Sequence, residues 1–227
     1  MPPFDRARRR DGTSAFLPYS ALSLDEIAAL PVADLAQPGA HLYLWTTARY
    51  LWAARDILGA WGFDARPGRL EVLVWCKQPM GLGLGGAYTV TTEFALHTRR
   101  PIGPLLRAAC QAVGWNQNDL DRHVRGKITR LSKRWLDGDC YPTPADWDRL
   151  RALLPTLAGL PDLAADPIRQ DSTWWQWTRG AHSAKPPAFL DLVERVSPGP
   201  YVELFARQPR LGWDSWGWGH ENFREVG

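Results

Sequence analysis

No apolar run in this 227-residue chain approaches the roughly 20 residues that a membrane span needs. The amino end, MPPFDRARRRDG, is polar and basic with no apolar core behind it, so no secretory leader is expected. Cysteine is scarce. Cys76, Cys110 and Cys140 are isolated, odd in number and never spaced as CxxC, which argues against a structural zinc site and for a reducing, cytoplasmic setting. Lysine is scarcer still relative to arginine. Only Lys77, Lys127, Lys133 and Lys185 occur among 27 basic residues, a bias that suits a GC-rich genome. A large net charge is also missing. At +3, any nucleic-acid binding must come from a local patch rather than a global field.

What is present is ordinary in bulk: 45% hydrophobic and 22% charged residues, as in soluble globular proteins. The length suits one α/β domain or a domain carrying an insert. Thirteen tryptophans are many, and the group Trp174, Trp175 and Trp177 offers either core packing or stacking faces.

Along the chain, Ser23 with Glu26 three residues on forms a capping box, so a short helix starts there and ends before Pro31. His41–Thr47 reads as a buried strand. Ala48–Trp61 reads as a helix with Leu51, Ala54, Leu58 and Trp61 on one face and Gly62 as its stop. Leu70–Cys76 and Thr91–Thr98 read as two further strands. Strand, helix, strand in this order predicts a right-handed crossover and a parallel sheet. The glycines at 81, 83, 85 and 86 lack the Lys-Ser/Thr ending of a phosphate loop and no strong helix follows, so a flexible lid is the better reading.

From Pro104 the character changes. Leu105–Val113, Asn118–Val124 and Ala145–Leu154 read as helices, the last capped by Thr143 with Pro144 at its first position. Between the second and third, Arg122–Trp135 holds six basic residues, Arg122, Arg125, Lys127, Arg130, Lys133 and Arg134, and no acid. The arrangement resembles a helix-turn-helix unit. Such a stretch is either a solvated basic face or a nucleic-acid contact. The second is favoured, because six cations without acids repel one another. Leu157–Gln170 reads as a linker.

Near the carboxyl end, the turn Ser197–Pro200 leads into a short buried strand, Tyr201–Ala206. Glu203 lies on the same face as Tyr201 and Phe205. A carboxylate there needs a partner, either Arg207 in a structural pair or the hydroxyls of a ribose. Lys185 stands at the start of a helix carrying Phe189, Leu190, Val193 and Val196, where an ammonium and main-chain donors suit an anionic ligand. A solvated surface lysine is the other reading.

Several segments together resemble the N6-adenine methyltransferase family that includes the catalytic subunit of the eukaryotic mRNA adenosine methyltransferase, and especially its phage and bacterial DNA-modifying members. They are LDEIAALPV at 24–32, HLYLWTT at 41–47, AWGF at 60–63, VWCKQPMGLG at 74–83, Thr92-Glu93, HSAKP at 182–186 and the long VERVSPGPYVELFARQPRLGWDSW at 193–216. The resemblance implies an α/β, Rossmann-like methyltransferase fold with a mostly parallel sheet, formed by 1–103 and 165–227. The helical, helix-turn-helix-like insert at 104–164 would be a target-recognition module. It implies S-adenosylmethionine as cofactor, held by Lys185 at the methionine carboxylate, Glu203 and Arg207 near the ribose, and Phe205 near the adenosine. The partner implied is DNA rather than RNA, with a further protein subunit possible and no metal or membrane involved. The family's catalytic motif, Asp-Pro-Pro followed by an aromatic residue, has as its counterpart Met1-Pro2-Pro3-Phe4: Pro2, Pro3 and Phe4 fit, and the aspartate position holds Met1. Val90 is a second departure, standing where many relatives have asparagine before Thr92-Glu93. The expectation is therefore an S-adenosylmethionine-dependent DNA adenine-N6 methyltransferase. The alternatives are a non-catalytic member that binds nucleic acid or a partner, or an enzyme shortened at its amino end.

Overall fold

The computed structural model describes residues 22–78, 90–170, 172–178, 184–206 and 208–217. Pro2, Pro3, Phe4, the glycine-rich segment at 81–86, His182, Ser183 and Arg207 lie outside the described residues.

The chain opens with two short helices, α1 (Leu24–Ala28) and α2 (Val32–Leu35). Ser23 caps α1 and Glu26 returns the bond, the reciprocal box that the spacing predicts. Strand β1 (His41–Thr46) follows, then helix α3 (Leu51–Ala60), strand β2 (Glu71–Gln78) and strand β3 (Thr92–Arg99). After β3 come four helices, α4 (Gly103–Ala112), α5 (Gln117–Arg125), α6 (Leu131–Asp137) and α7 (Pro144–Leu153). Strand β4 (Trp174–Thr178), helix α8 (Pro187–Val196) and strands β5 (Tyr201–Ala206) and β6 (Trp213–Gly217) complete the described elements.

The main sheet is mixed, not mostly parallel. Its order is β1-β3-β2-β4. Strands β1 and β2 both run antiparallel to β3, and only the β2–β4 pair is parallel. The crossover through α3 does return β2 in the direction of β1, as the strand-helix-strand pattern requires. It leaves one strand's width between them, however, and β3 fills it. Leu96 joins the core under α3, while its neighbour Ala95 joins the core under α8, so β3 is covered on both faces. The same alternation divides β1, with Leu42 and Leu44 on the α3 side and Tyr43 and Trp45 on the α8 side. Strands β5 and β6 form a separate parallel pair.

Helices α4–α7 enclose a core of their own, centred on Leu106, Leu120, Trp135, Trp147 and Leu150. The approach of α4 to α6 is close: a Cβ on Gly103 would meet the carbonyl oxygen of Leu136 at 2.2 Å. Only glycine permits that contact.

Candidate functional site

The described residues border a cleft of about 1560 Å³ between β1 and β5, with the amino end of α8 along one side. Three groups of side chains give it chemical character.

The first is a charge triad. Lys185 lies two residues ahead of α8, as the sequence suggests, but its ammonium is neither solvated nor idle. It sits 2.5 Å from Oε2 of Glu93 and 4.7 Å from the centre of the Trp45 ring. The other oxygen of Glu93, Oε1, is 2.5 Å from Nζ of Lys77. Burial pushes the Glu93 carboxyl up, yet the two ammonium groups outweigh this and hold it below its ordinary range. The three charges leave the triad one unit positive. The sequence reading names Glu93 within the segment Thr92-Glu93 and Lys77 among the four lysines but gives neither a site role, although an acid at the head of the strand that continues Phe94-Ala95-Leu96 is a signal akin to the one that singled out Glu203.

The second group lies on β5. Glu203 is half-buried and faces the cleft on the side of Tyr201 and its stacking partner Trp213. Among the described residues it accepts no hydrogen bond. Burial therefore raises its carboxyl, with Arg210 and Lys185 only partly offsetting the effect. The register pairs Glu203 with Ser215 of β6, whose hydroxyl is buried and also has no partner among the described residues. Two residues on, Phe205 has φ +64°, in the left-handed region, where the pairing with β6 skips a residue between Leu204 and Ala206. Its ring meets Trp216 edge-on at 5.2 Å. A bulky residue in that conformation is strained, and such strain gathers at functional sites. Arg210 fastens the β5–β6 turn to α8 through Asp191 and both oxygens of Glu194.

The third group is a buried network at the other end of β1. Ser197 Oγ lies 2.5 Å from Nδ1 of His41 and 2.7 Å from the Tyr43 hydroxyl. Tyr43 stacks on His97, which pairs with Glu71 at 2.8 Å. Burial, with Arg99 and His97 nearby, lowers the His41 imidazole from 6.5 to about 4. Trp175 and Trp177 do not form an open stacking platform. They face inward, stacked at 5.3 Å and packed on the α8 side, and Trp174 is the exposed member of the group. Period-two alternation along β4 makes that division.

The basic stretch of the insert differs from its reading as a run of uncompensated charge. It runs from the last turn of α5 into α6, and acids from outside the stretch meet three of its six cations. Arg122 bonds Asp119, Arg125 meets Asp146 at 2.5 Å, and Lys133 pairs with Asp137. Lys127, Arg130 and Arg134 are exposed.

Among the described residues no group of three or more His, Cys, Asp or Glu is arranged to hold a metal, and no helix is long and apolar enough to cross a membrane. A family model described as MT-A70 matches residues 1–81. The type II methyltransferase M.MunI of Mycoplasma sp is 27% identical over 208 residues, which is 90% of this chain and 61% of that protein. The MT-A70-like N(6)-adenosine-methyltransferase protein of Drosophila melanogaster is 39% identical over 61 residues, or 27% of this chain and 9% of that protein. The N(6)-adenosine-methyltransferase subunit METTL3 of Danio rerio is 36% identical over 61 residues, 10% of its length. The chain thus spans less than two thirds of the length of each of these relatives. The MT-A70 match covers the segment that includes β1, α3 and β2, and the chain is similar to the methyltransferases of that family.

Proposed function

We propose that the chain is an S-adenosylmethionine-dependent adenine-N6 methyltransferase acting on DNA. In this reading 1–103 and 165–227 form the catalytic fold and 104–164 the target-recognition insert. The observation that carries it is Glu203: a half-buried carboxylate without a hydrogen-bond partner among the described residues, bordering a cleft with a net positive triad nearby. A carboxylate left in that state is matched by a ligand with paired hydroxyls, such as a ribose.

The remaining polar groups suit the rest of such a cofactor. The Lys185 ammonium, balanced but not neutralised by sharing Glu93 with Lys77, suits the methionine carboxylate. Phe205, held by its bulge against Trp216, offers an apolar face to the adenine. Arg207 belongs with Glu203 in the same assignment. The cofactor, when bound, supplies the activated methyl group. Pro2, Pro3 and Phe4 are assigned to gripping the base turned out of the duplex. A DNA substrate is supported by the likeness to a type II methyltransferase over most of the chain and by the exposed cations of the insert.

The test is isothermal titration of S-adenosylmethionine into wild type, Lys185→Ala and Glu203→Ala. Loss of one charge-assisted contact should weaken binding by about ten- to a hundredfold in each variant. Equal affinity in all three would remove the assignment.

A further inference from the structure

The six cations of Arg122–Trp135 are not equivalent, and the difference defines a smaller surface. Arg125 is committed to the insert's own packing. Its guanidinium meets Asp146, a residue 3% exposed, and lies over the Trp135 ring at 5.8 Å. Arg122 and Lys133 are each matched by an acid one helical turn away. Lys127, Arg130 and Arg134 form no ion pair with any described residue.

These three are also presented together. Lys127 and Arg130 sit in the turn between α5 and α6, and Arg134 lies one helical turn beyond Arg130, opposite the buried Ser132 and Trp135. The turn is rigidly built. The carboxylate of Asp121, fully buried, accepts from Thr129 N at 2.9 Å, Arg130 N at 2.7 Å and Ser132 N at 3.2 Å. It also accepts from the hydroxyls of Thr129 at 3.0 Å and Ser132 at 2.6 Å. Asp121 holds Arg130 at φ +59° and thereby fixes where its side chain leaves the turn. One further consequence is chemical. Of the main-chain donors leading into α6, those of Thr129, Arg130 and Ser132 are taken by Asp121 and that of Leu131 by the Thr129 hydroxyl, so they are not offered to a phosphate. An anion approaching this turn therefore meets the basic side chains first.

We propose that Lys127, Arg130 and Arg134, positioned by the Asp121-anchored turn, are the phosphate-contacting surface for duplex DNA, and that Arg122, Arg125 and Lys133 are not part of it. This rests on the reading of the insert as the DNA-binding module. It turns that reading into a count. Three contacts give a salt dependence of about −2.7 in log K against log salt, where six would give about −5.4.

The experiment measures duplex binding by fluorescence anisotropy across a salt series. The proteins are the wild-type chain, the variant Lys127→Ala/Arg130→Ala/Arg134→Ala and the variant Arg122→Ala/Lys133→Ala, which leaves the packed Arg125 in place. The first variant changes only exposed side chains, and its melting curve reports that the fold is kept. The expected result is a wild-type slope near −2.7, a slope near zero in the first variant and the wild-type slope in the second. If the second variant flattens the slope in proportion to its two lost charges, the division into three and three is wrong while the insert still binds DNA. If neither variant moves the slope, the insert is not the DNA-binding module and both readings fall.

Discussion

Glu93 stands between two lysines, with Oε1 2.5 Å from Nζ of Lys77 and Oε2 2.5 Å from Nζ of Lys185. One carboxylate from β3 thereby ties the end of β2 to the approach to α8. Replacing it with glutamine leaves two ammonium groups facing each other across a neutral amide. Glu93→Gln should lower the unfolding free energy by roughly 1.5–3 kcal/mol near neutral pH. Because the folded carboxyl titrates below its ordinary 4.5, its contribution is present above that value and is lost as pH falls through the depressed one. Urea unfolding at neutral and at acidic pH checks this: the gap between wild type and variant should close on acidification.

Glu203 carries the opposite sign. Burial raises its carboxyl above the ordinary 4.5, so the folded state holds the proton more tightly than the unfolded chain does. Stability from this group is present below 4.5 and lost as pH rises through the raised value. Glu203→Gln should therefore make the protein more stable than wild type at neutral pH and equal to it under acid, while weakening cofactor binding. Denaturation midpoints against pH, measured beside the cofactor titration, report both effects. A variant less stable than wild type at neutral pH would show that the carboxylate is satisfied in the free protein.

His41 sets a third pH window. Its imidazole falls from 6.5 to about 4 in the folded protein, where Ser197 Oγ meets Nδ1 and burial penalises the charged ring. The stability it contributes is complete above 6.5 and is lost as pH falls toward about 4. His41→Gln should flatten the stability profile within that interval and leave the profile above it unchanged. Thermal melts in a pH series measure the slope, and an unaltered slope in the variant would assign the loss to other groups.

The conformation of Phe205 makes a backbone prediction. In an ordinary strand position, glycine is less stable than alanine by roughly 0.5–1 kcal/mol. At φ +64° the order should reverse. Phe205→Gly should exceed Phe205→Ala in stability by about 1 kcal/mol, because only glycine occupies that region without a Cβ clash. Both lose the contact with Trp216, so the comparison isolates the backbone.

Elements whose signals are local were legible in the sequence. The Ser23–Glu26 box and the Thr143 cap ahead of Pro144 start helices where the sequence places them. Strand β5 has the bounds that its apolar run suggests, with Glu203 as the residue that does not fit. Helix α6 is the instructive miss. Its N-cap position, Arg130, supplies no side-chain cap, and the acceptor that replaces one is Asp121 on another helix. Nothing within the α6 segment announces that arrangement.

By itself, then, the sequence determined the family pattern, most of the helices and strands, and the two outlying polar residues, Lys185 and Glu203. These depend on short-range spacing and on the cost of placing charge in an apolar run. Tertiary structure decided the rest. The sheet order followed from pairings between strands remote in the chain, which put β3 between β1 and β2. The ion pairs followed from which acids folding brought within reach, joining Glu93 to Lys77 and Lys185, and Asp146 to Arg125. Coulomb attraction acts through space, so residues remote in the chain settle which cations are already matched and which remain available to a ligand.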